Sequence, residues 1–466
     1  MDVKNKRVLV VGLGKSGIAA AHFLRARGAR VTVSDSRDAV ALAKEIPALL
    51  DAGIMVETGG HGLLTFRRSD LIVVSPGVPL ETPELQQAIG FGVPVIGELE
   101  LGAQFLRGQV IAITGSNGKT TTTTLVGEIL KAAGLPTLVG GNIGRPVVEL
   151  VAESTDATWS VLEVSSFQLE TVDTFRPRIA AVLNITPDHL DRHGSFEAYA
   201  AAKARITDRQ GADDYLVLNG EDKPSQMVAV KTAPQGPSQA QVFWFSGRRP
   251  IKRGAFVHGD SVLYLAAENG KAEPVMPVSE IPLKGAHNVE NVLAAVCMAR
   301  LAGVPAATIR SAVASFRAVA HRLEFVTTID GVAYYNDSKA TNVDATVKAV
   351  SSFAGGIHLI LGGKDKDSDY TQLAELLRER VKAIYTIGSA AEKIARQLQG
   401  VVKMKAAGTL QTAVREAAAE AVAGDVVLLA PACASFDQFN SYEHRGQVFR
   451  EIVTALAAER TGAAEV

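Results

Sequence analysis

Residues 7–37, RVLVVGLGKSGIAAAHFLRARGARVTVSDSR, constrain the fold more than any other stretch. An apolar run of strand length ends in glycines, a helical pattern follows, and a second strand-like run closes on Asp35. The same strand–turn–helix theme recurs almost throughout, in DLIVVSPGVP (70–79), WSVLEVSSFQLE, IAAVLNITPDHLDRHGS, GIHLILGG and DVVLLAPA. That alternation predicts α/β architecture with parallel sheets.

At 466 residues the chain exceeds one core, and three α/β domains are expected. These are a Rossmann-like N-terminal domain over 1–97, a central P-loop ATPase-type α/β domain over 98–318, and a Rossmann-like C-terminal domain over 319–466. The stretch 223–280 is less regular and is expected to form a small peripheral sheet. A net charge of -1 supplies no basic field for nucleic acid, and the basic run 247–253 reads as a solvated loop. Cys297 and Cys433 are the only cysteines, too few for a disulfide framework or a cysteine metal site. No apolar run is long enough to span a bilayer, and the N-terminal run breaks at Gly12, so it reads as a buried strand rather than a signal peptide. A soluble, cytoplasmic, monomeric protein without membrane or nucleic-acid partners is the expectation.

Two segments point to phosphate. Gly12-x-Gly14-x-x-Gly17 follows a strand and opens a helix, and Asp35 stands 18 residues beyond Gly17. This dinucleotide-type fingerprint aims backbone N–H groups and a helix N-terminus at a diphosphate. The alternative is that these glycines only permit close helix–strand packing. The second segment, ITGSNGKTTTTTL (113–125), places Gly115, Ser116, Asn117, Gly118, Lys119 and Thr120 between a strand and a helix. Its glycines admit phosphate to backbone amides, Lys119 supplies a point charge, Thr120 can offer a hydroxyl to Mg²⁺, and hydroxyls such as Thr121 and Thr122 fall in the first helical turn. Walker A spacing would require glycine where Ile113 stands.

A triphosphate needs metal ligands. Glu163 ends a strand-like run, and NITPDHLDRHGS brings Asp188, His189, Asp191 and His193 together after another. A carboxylate with an imidazole suits Mg²⁺ or Mn²⁺ beside transferring phosphate.

Taken in order, TGSNGKT, GGNIG, LEVSSFQLE, NITPDHLDRHGS, AAKARI, GAHNVENVLAA, HRLE, NDSKATN and PACASFDQF resemble the Mur ligases from about residue 7 to about 450. The likeness is greatest to the members that add glutamate, and this family's phosphate loop also lacks the first Walker glycine. The resemblance implies an ATP-dependent ligase that joins D-glutamate to UDP-N-acetylmuramoyl-L-alanine through an acyl phosphate, in peptidoglycan precursor synthesis.

It also implies roles for individual residues. Asp35 and Arg37 match uracil-side contacts. Ser75, Gly77 and Asn142 match contacts to the rest of the nucleotide sugar, and Ser165 falls with these substrate-side groups. Glu163, His189 and Thr120 match the ligands of Mg²⁺, for which two sites are implied and Mn²⁺ can substitute. Lys203, on its own an ordinary helical lysine, matches a lysine that the family carbamylates to bridge the second ion. Asn288 and Asn291 match adenine-facing positions, while Arg322, Asp337 and Lys339 match the ATP-side groups of the third domain, with His321 beside them. Thr341, Lys366 or its neighbour Lys364, Ser435 and Tyr442 match the amino-acid pocket. Lys119, His189, Lys203 and Lys339 are the implied catalytic set.

Four other readings compete, the nearest being sister Mur ligases, against which the short first domain with SDSR and the NDSKATN segment speak. A nicotinamide enzyme would use the N-terminal fingerprint but neither the second phosphate loop nor the acid–histidine segment. A folylpolyglutamate synthase-like ligase would not need the fold at 7–97. A nucleotide-binding module without catalysis leaves Glu163, His189 and Lys203 without purpose. The residue types of the amino-acid pocket fit D- and L-glutamate alike.

Overall fold

The computed structural model describes residues 1–230, 238–317 and 319–463; residue 318, the expected edge of the central domain, lies outside them. The chain divides into two compact units, residues 1–278 with 291–313, and residues 279–290 with 314–463 of the described chain.

The first unit holds two sheets. One is wholly parallel and contains β1 (Arg7–Val11), β2 (Arg30–Asp35), β3 (Met55–Thr58), β4 (Leu71–Val74) and β5 (Val95–Gly97), in the order β3-β2-β1-β4-β5. Val8–Val11 and Leu71–Val74 are buried, as strands covered on both faces must be. The helix Lys15–Ala26 packs directly on the turn after β1, where a methyl at Gly17 would lie 1.9 Å from the Gly12 carbonyl oxygen. Only glycine permits that approach. Strand order reverses between β1 and β4, which is where ligands bind in sheets of this kind.

The other sheet has nine strands. Its parallel centre is β6 (Gln109–Thr114), β7 (Thr137–Gly141), β8 (Trp159–Glu163), β9 (Ile179–Val182) and β10 (Tyr215–Asn219). The order runs β14-β13-β12-β11-β10-β9-β6-β8-β7. The small peripheral sheet expected at 223–280 is the edge of this larger sheet rather than a sheet of its own. β11 (Gln241–Ser246) pairs in parallel with β10, opposing Tyr215 with Gln241, and β12 (Gly254–His258), β13 (Ser261–Leu265) and β14 (Glu273–Pro277) follow on the same edge. The alternating apolar residues of β11 find an already formed apolar edge, with Phe243 and Phe245 buried, and extend it.

The second unit contains β15 (Glu324–Ile329), β16 (Val332–Asn336), β17 (Ile357–Gly362), β18 (Val381–Ile387), β19 (Lys403–Gly408) and β20 (Val426–Leu429). Their order is β15-β16-β20-β17-β18-β19, parallel except for the β15–β16 hairpin. That hairpin turns on Asp330 (φ +49°) and Gly331 (φ +77°), the positive-φ pair that a tight two-residue turn demands. β20 lies between β16 and β17, so the loops leaving these three strands gather at one end of the sheet. The α/β, parallel-rich fold class is therefore as expected. Among the described residues no helix is long and apolar enough to cross a membrane.

Candidate active site

At the reversal point of the first sheet lies a cavity of about 580 Å³, lined among others by Leu13, Asp35, Arg37, His61, Ser75 and Gly77. The last residue of β2, Asp35, is held from both sides. Its Oδ2 accepts the Leu13 N–H (2.7 Å) and Arg37 Nη2 (2.8 Å), and its Oδ1 accepts the Arg37 N–H and Nε (2.9 and 3.0 Å). Burial would raise the Asp35 pKa, but the Arg37 guanidinium and the two N–H donors outweigh it and hold the carboxyl at about 2. Ser75 donates to the Gly12 carbonyl (2.7 Å), so its hydroxyl ties the two reversal loops together, and the Gly77 position is open. His61, which sequence reading missed, is fixed by a 2.7 Å contact between its Nδ1 and Ser34 Oγ.

The phosphate loop leaves β6 and enters the helix Lys119–Ala132 through Gly118, whose φ is +84°. A methyl there would come within 2.2 Å of Asn291 Oδ1, and the positive φ itself favours glycine. The loop is braced by residues absent from the sequence-based set. Asn184 Oδ1 accepts the Asn117 N–H (2.8 Å), and its Nδ2 donates to the Asn117 carbonyl (3.1 Å). Ser116 Oγ donates to the Thr186 carbonyl, accepts the Thr186 N–H, and lies 3.0 Å from the Tyr199 hydroxyl. Asn184 ends the apolar run of β9, a position from which its role could have been read.

Lys119 Nζ donates to the Gly115 and Ser116 carbonyls (2.8 and 3.0 Å). Thr120 Oγ1 donates to Glu163 Oε2 (2.6 Å), while Asn142 Nδ2 donates to Glu163 Oε1 (2.8 Å). The predicted Thr120, Asn142 and Glu163 thus meet at the ends of neighbouring strands. Thr121 and Thr122 are buried, and among the described residues the Thr122 hydroxyl has no hydrogen-bond partner. Ser165 caps the helix Ser166–Leu169 in a reciprocal box with Gln168, which fixes where its hydroxyl lies.

Lys203 is 1% exposed, and its Nζ donates to the Gly115 carbonyl (2.9 Å) and lies 4.5 Å from the centroid of the Tyr199 ring. Burial, followed by repulsion from Lys119, pushes its pKa well below the ordinary lysine value, although Asp188 and Glu163 act against this. On its own an ordinary helical lysine by sequence, Lys203 is enclosed beside the phosphate loop. His189 has left-handed backbone (φ +53°), its ring 5.0 Å from that of Phe167 and 3.7 Å from Asp188. Phe167 also stacks on His193, which contacts Ser166 and Glu170. Among the described residues no group of three or more His, Cys, Asp and Glu converges. Thr120 with Glu163 fits Mg²⁺ nonetheless, since this ion keeps waters and takes one or two protein carboxylates beside substrate phosphates.

In the second unit, Asp337, Lys339, Thr341, Lys366 and Ser435 occupy the loops after β16, β17 and β20, while His321 and Arg322 precede β15 and Tyr442 opens the helix Tyr442–Ala463. Burial lifts the Asp337 pKa to about 7 against the opposing charge of Arg322 and the N–H of Leu323. Lys339 Nζ sits 3.8 Å from the centroid of the Tyr442 ring, and the Lys339 carbonyl accepts the Thr341 N–H (2.7 Å). His321 (φ +63°) lies 3.0 Å from Asn336 Nδ2. Lys364 exchanges backbone hydrogen bonds with Ala434, next to the buried Ser435, and Lys366 stands exposed in the same loop. Asn288 Nδ2 donates to the Lys284 carbonyl (2.7 Å).

A cavity at the reversal point of one parallel sheet and a glycine loop at the strand ends of the next give an α/β fold with two places suited to phosphate-bearing ligands. Family comparison agrees: residues 6–97 match the MurD-like N-terminal domain of Mur ligases, 113–299 the Mur ligase middle domain, and 321–433 the Mur ligase glutamate ligase domain. The chain is 65% identical over 455 residues to the UDP-N-acetylmuramoylalanine–D-glutamate ligase of Acidobacterium capsulatum, covering 98% of this chain and 97% of that protein. It is 60% identical over 459 residues to the protein of the same name from Koribacter versatilis, covering 98% and 99%. Among solved structures, UDP-N-acetylmuramate-alanine ligase of Thermotoga maritima superposes with a TM-score of 0.60 at 18% identity, over 97% of this chain and 99% of that one. The chain belongs to the Mur ligase family.

Proposed function

We propose that this chain joins the amine of D-glutamate to the alanyl carboxylate of UDP-N-acetylmuramoyl-L-alanine at the expense of ATP, in peptidoglycan precursor synthesis. The observation that carries the reading is full-length identity of up to 65% to ligases of that name. The site chemistry supports it. A carboxylate is a poor acyl donor until one oxygen becomes part of a leaving group. Transfer of the γ-phosphoryl of ATP to the alanyl carboxylate yields an acyl phosphate and ADP. Attack by the glutamate amine then gives a tetrahedral adduct that expels phosphate and loses a proton.

In this reading the first cavity takes the UDP moiety beside Asp35 and Arg37, with Ser75, Gly77 and Asn142 toward the sugar. The loop 115–120 and Lys119 hold the ATP phosphates, and Asn288, Asn291, Arg322, Asp337 and Lys339 hold the remainder of the nucleotide. Thr120, Glu163 and His189 would hold Mg²⁺, for which Mn²⁺ can substitute; the ion would offset charge on the phosphate oxygens. Lys203 carries a carbamate formed from CO₂, which turns a buried amine into a carboxylate-like ligand. Thr341, Lys366, Ser435 and Tyr442 receive D-glutamate. A single cytoplasmic chain supplies all these groups.

The test is phosphate release from ATP by the purified protein with Mg²⁺ and UDP-N-acetylmuramoyl-L-alanine, in the presence of D-glutamate, L-glutamate or neither. Release confined to D-glutamate, with matching peptide product, is the expected result. Release indifferent to both substrates overturns the reading.

A further inference from the structure

Arg445, in the helix Tyr442–Ala463, is wholly enclosed. Its Nε donates to Ser338 Oγ (2.9 Å), its Nη2 to the carbonyls of Ser338 (2.8 Å) and Cys433 (3.1 Å), and its Nη1 to the carbonyl of Ala434 (3.3 Å). A methyl at Gly363 would come within 3.0 Å of Nη1. One guanidinium therefore touches all three loops that leave β16, β17 and β20. Ser338 passes the restraint on by donating to the Tyr442 carbonyl (2.8 Å).

Every acceptor of Arg445 is neutral. Among the described residues no carboxylate pairs with it, and Asp437 acts on it only at longer range. A buried cation without a counter-charge carries a heavy desolvation penalty, which its carbonyl partners offset in part. A hydrophobic residue would leave these four buried acceptors without donors, and a neutral amide has too few N–H groups to meet them all. The loops it fastens carry Thr341, Lys366 and Ser435, and Tyr442 lies one helical turn before it.

We infer that Arg445 is the positioning residue that makes this pocket select a dicarboxylate: it sets the three loops in register, and its buried charge supplies the positive potential that favours glutamate over its uncharged amide. The inference rests on the proposal that this domain receives D-glutamate. Lys364 and Lys366 are exposed, so salt screens them, whereas a buried charge acts at low dielectric and is screened little.

The experiment compares full-length wild type, Arg445→Lys and Arg445→Gln, measuring KM for D-glutamate and the inhibition constant of D-glutamine as its competitor. Arg445→Gln is expected to raise KM for D-glutamate about 10- to 30-fold while leaving D-glutamine inhibition within about threefold. Arg445→Lys keeps the preference, and KM for ATP and for UDP-N-acetylmuramoyl-L-alanine stays within about twofold in both. Equal weakening of D-glutamate and D-glutamine in Arg445→Gln reduces Arg445 to a loop tie and overturns the inference. Should that variant not fold, the wild type decides: KM for D-glutamate changing less than about twofold between roughly 0.05 and 0.5 M salt supports the buried charge, and a rise of about tenfold assigns selectivity to the exposed lysines and overturns it. Wild-type protein that ignores D-glutamate sinks the parent reading, whereas turnover with unaltered preference in Arg445→Gln sinks this one alone.

Discussion

Lys119 and Lys203 donate to the same acceptor, the carbonyl oxygen of Gly115, at 2.8 and 2.9 Å. Two ammonium groups on one oxygen repel each other, and the one that is fully buried carries the larger consequence. The Lys203 amine is pushed toward its neutral form, which is the nucleophilic form that adds to CO₂.

Carbamylation of Lys203 would convert that repulsion into an attraction, because the lysine would then present a negative group beside Lys119. Lys203→Ala is expected to lower kcat by at least about 100-fold, with the protein still folded. A small carboxylate such as formate, able to enter the space left, should restore part of the activity. Phosphate release with and without formate measures both effects, and a Lys203→Ala enzyme with near wild-type turnover contradicts the role.

Glu163 accepts from Thr120 on one oxygen and from Asn142 on the other, so it lies between the phosphate loop and the loop assigned to the nucleotide sugar. Glu163→Gln keeps the shape but removes the charge that a divalent cation needs. The expected outcome is a Mg²⁺ requirement raised at least about tenfold and kcat lowered about 100-fold, with UDP binding unchanged. A Mg²⁺ titration of activity beside calorimetric titration with UDP separates the two; an unchanged Mg²⁺ requirement removes Glu163 from the ion's ligands.

What was legible in the sequence is what local backbone chemistry demands. Gly17 and Gly118 are forced by close approaches, and Ser165 with Gln168 has the spacing of a helix cap. Burial of Lys203 was not legible, because its partners Gly115 and Tyr199 come from a distant loop and from the packing of its own helix against that loop. The same holds for Arg445, whose acceptors at 338 and 433–434 are brought together by strand order. β11 to β14 read as an isolated patch for a similar reason, since an edge is visible only once its neighbour is known. The family resemblance supplied Lys203, yet neither it nor the residue pattern pointed to His61 or Arg445.

Arg37 holds Asp35 at about 2, below the roughly 3.9 expected of a free side chain. A depressed folded-state pKa contributes stability that is present above the unfolded value and lost as pH falls toward 2. Because Arg37 is about half exposed, the contribution is about 1 kcal/mol. Arg37→Met should therefore raise the Asp35 pKa in a carboxyl-resolved NMR titration and remove that part of the acid-induced loss of stability. If Arg37 also faces the uracil, KM for UDP-N-acetylmuramoyl-L-alanine rises about tenfold while KM for ATP does not. An Asp35 pKa that stays near 2 in the variant would show that the backbone donors alone suffice.

Asp337 shows the opposite sign. Burial raises its pKa to about 7, so the folded protein binds this proton more tightly than the unfolded chain does. Stability from this group is therefore present at low pH and declines as pH rises from about 4 toward 7, the range in which the carboxyl ionises in the unfolded chain but keeps its proton in the folded protein. Asp337→Asn should cancel that decline and unfold about 2–4 °C higher than wild type at pH 8, with little difference at pH 5. The catalytic consequence runs the other way. In the proposed reading Asp337 serves the nucleotide as an anion, so wild-type kcat should rise with pH through about 7, and Asp337→Asn should be slow at every pH. Thermal unfolding at the two pH values and a pH–rate profile test the two halves separately; a profile flat across this range, with unfolding still pH-dependent, would assign Asp337 to the fold and not to the reaction.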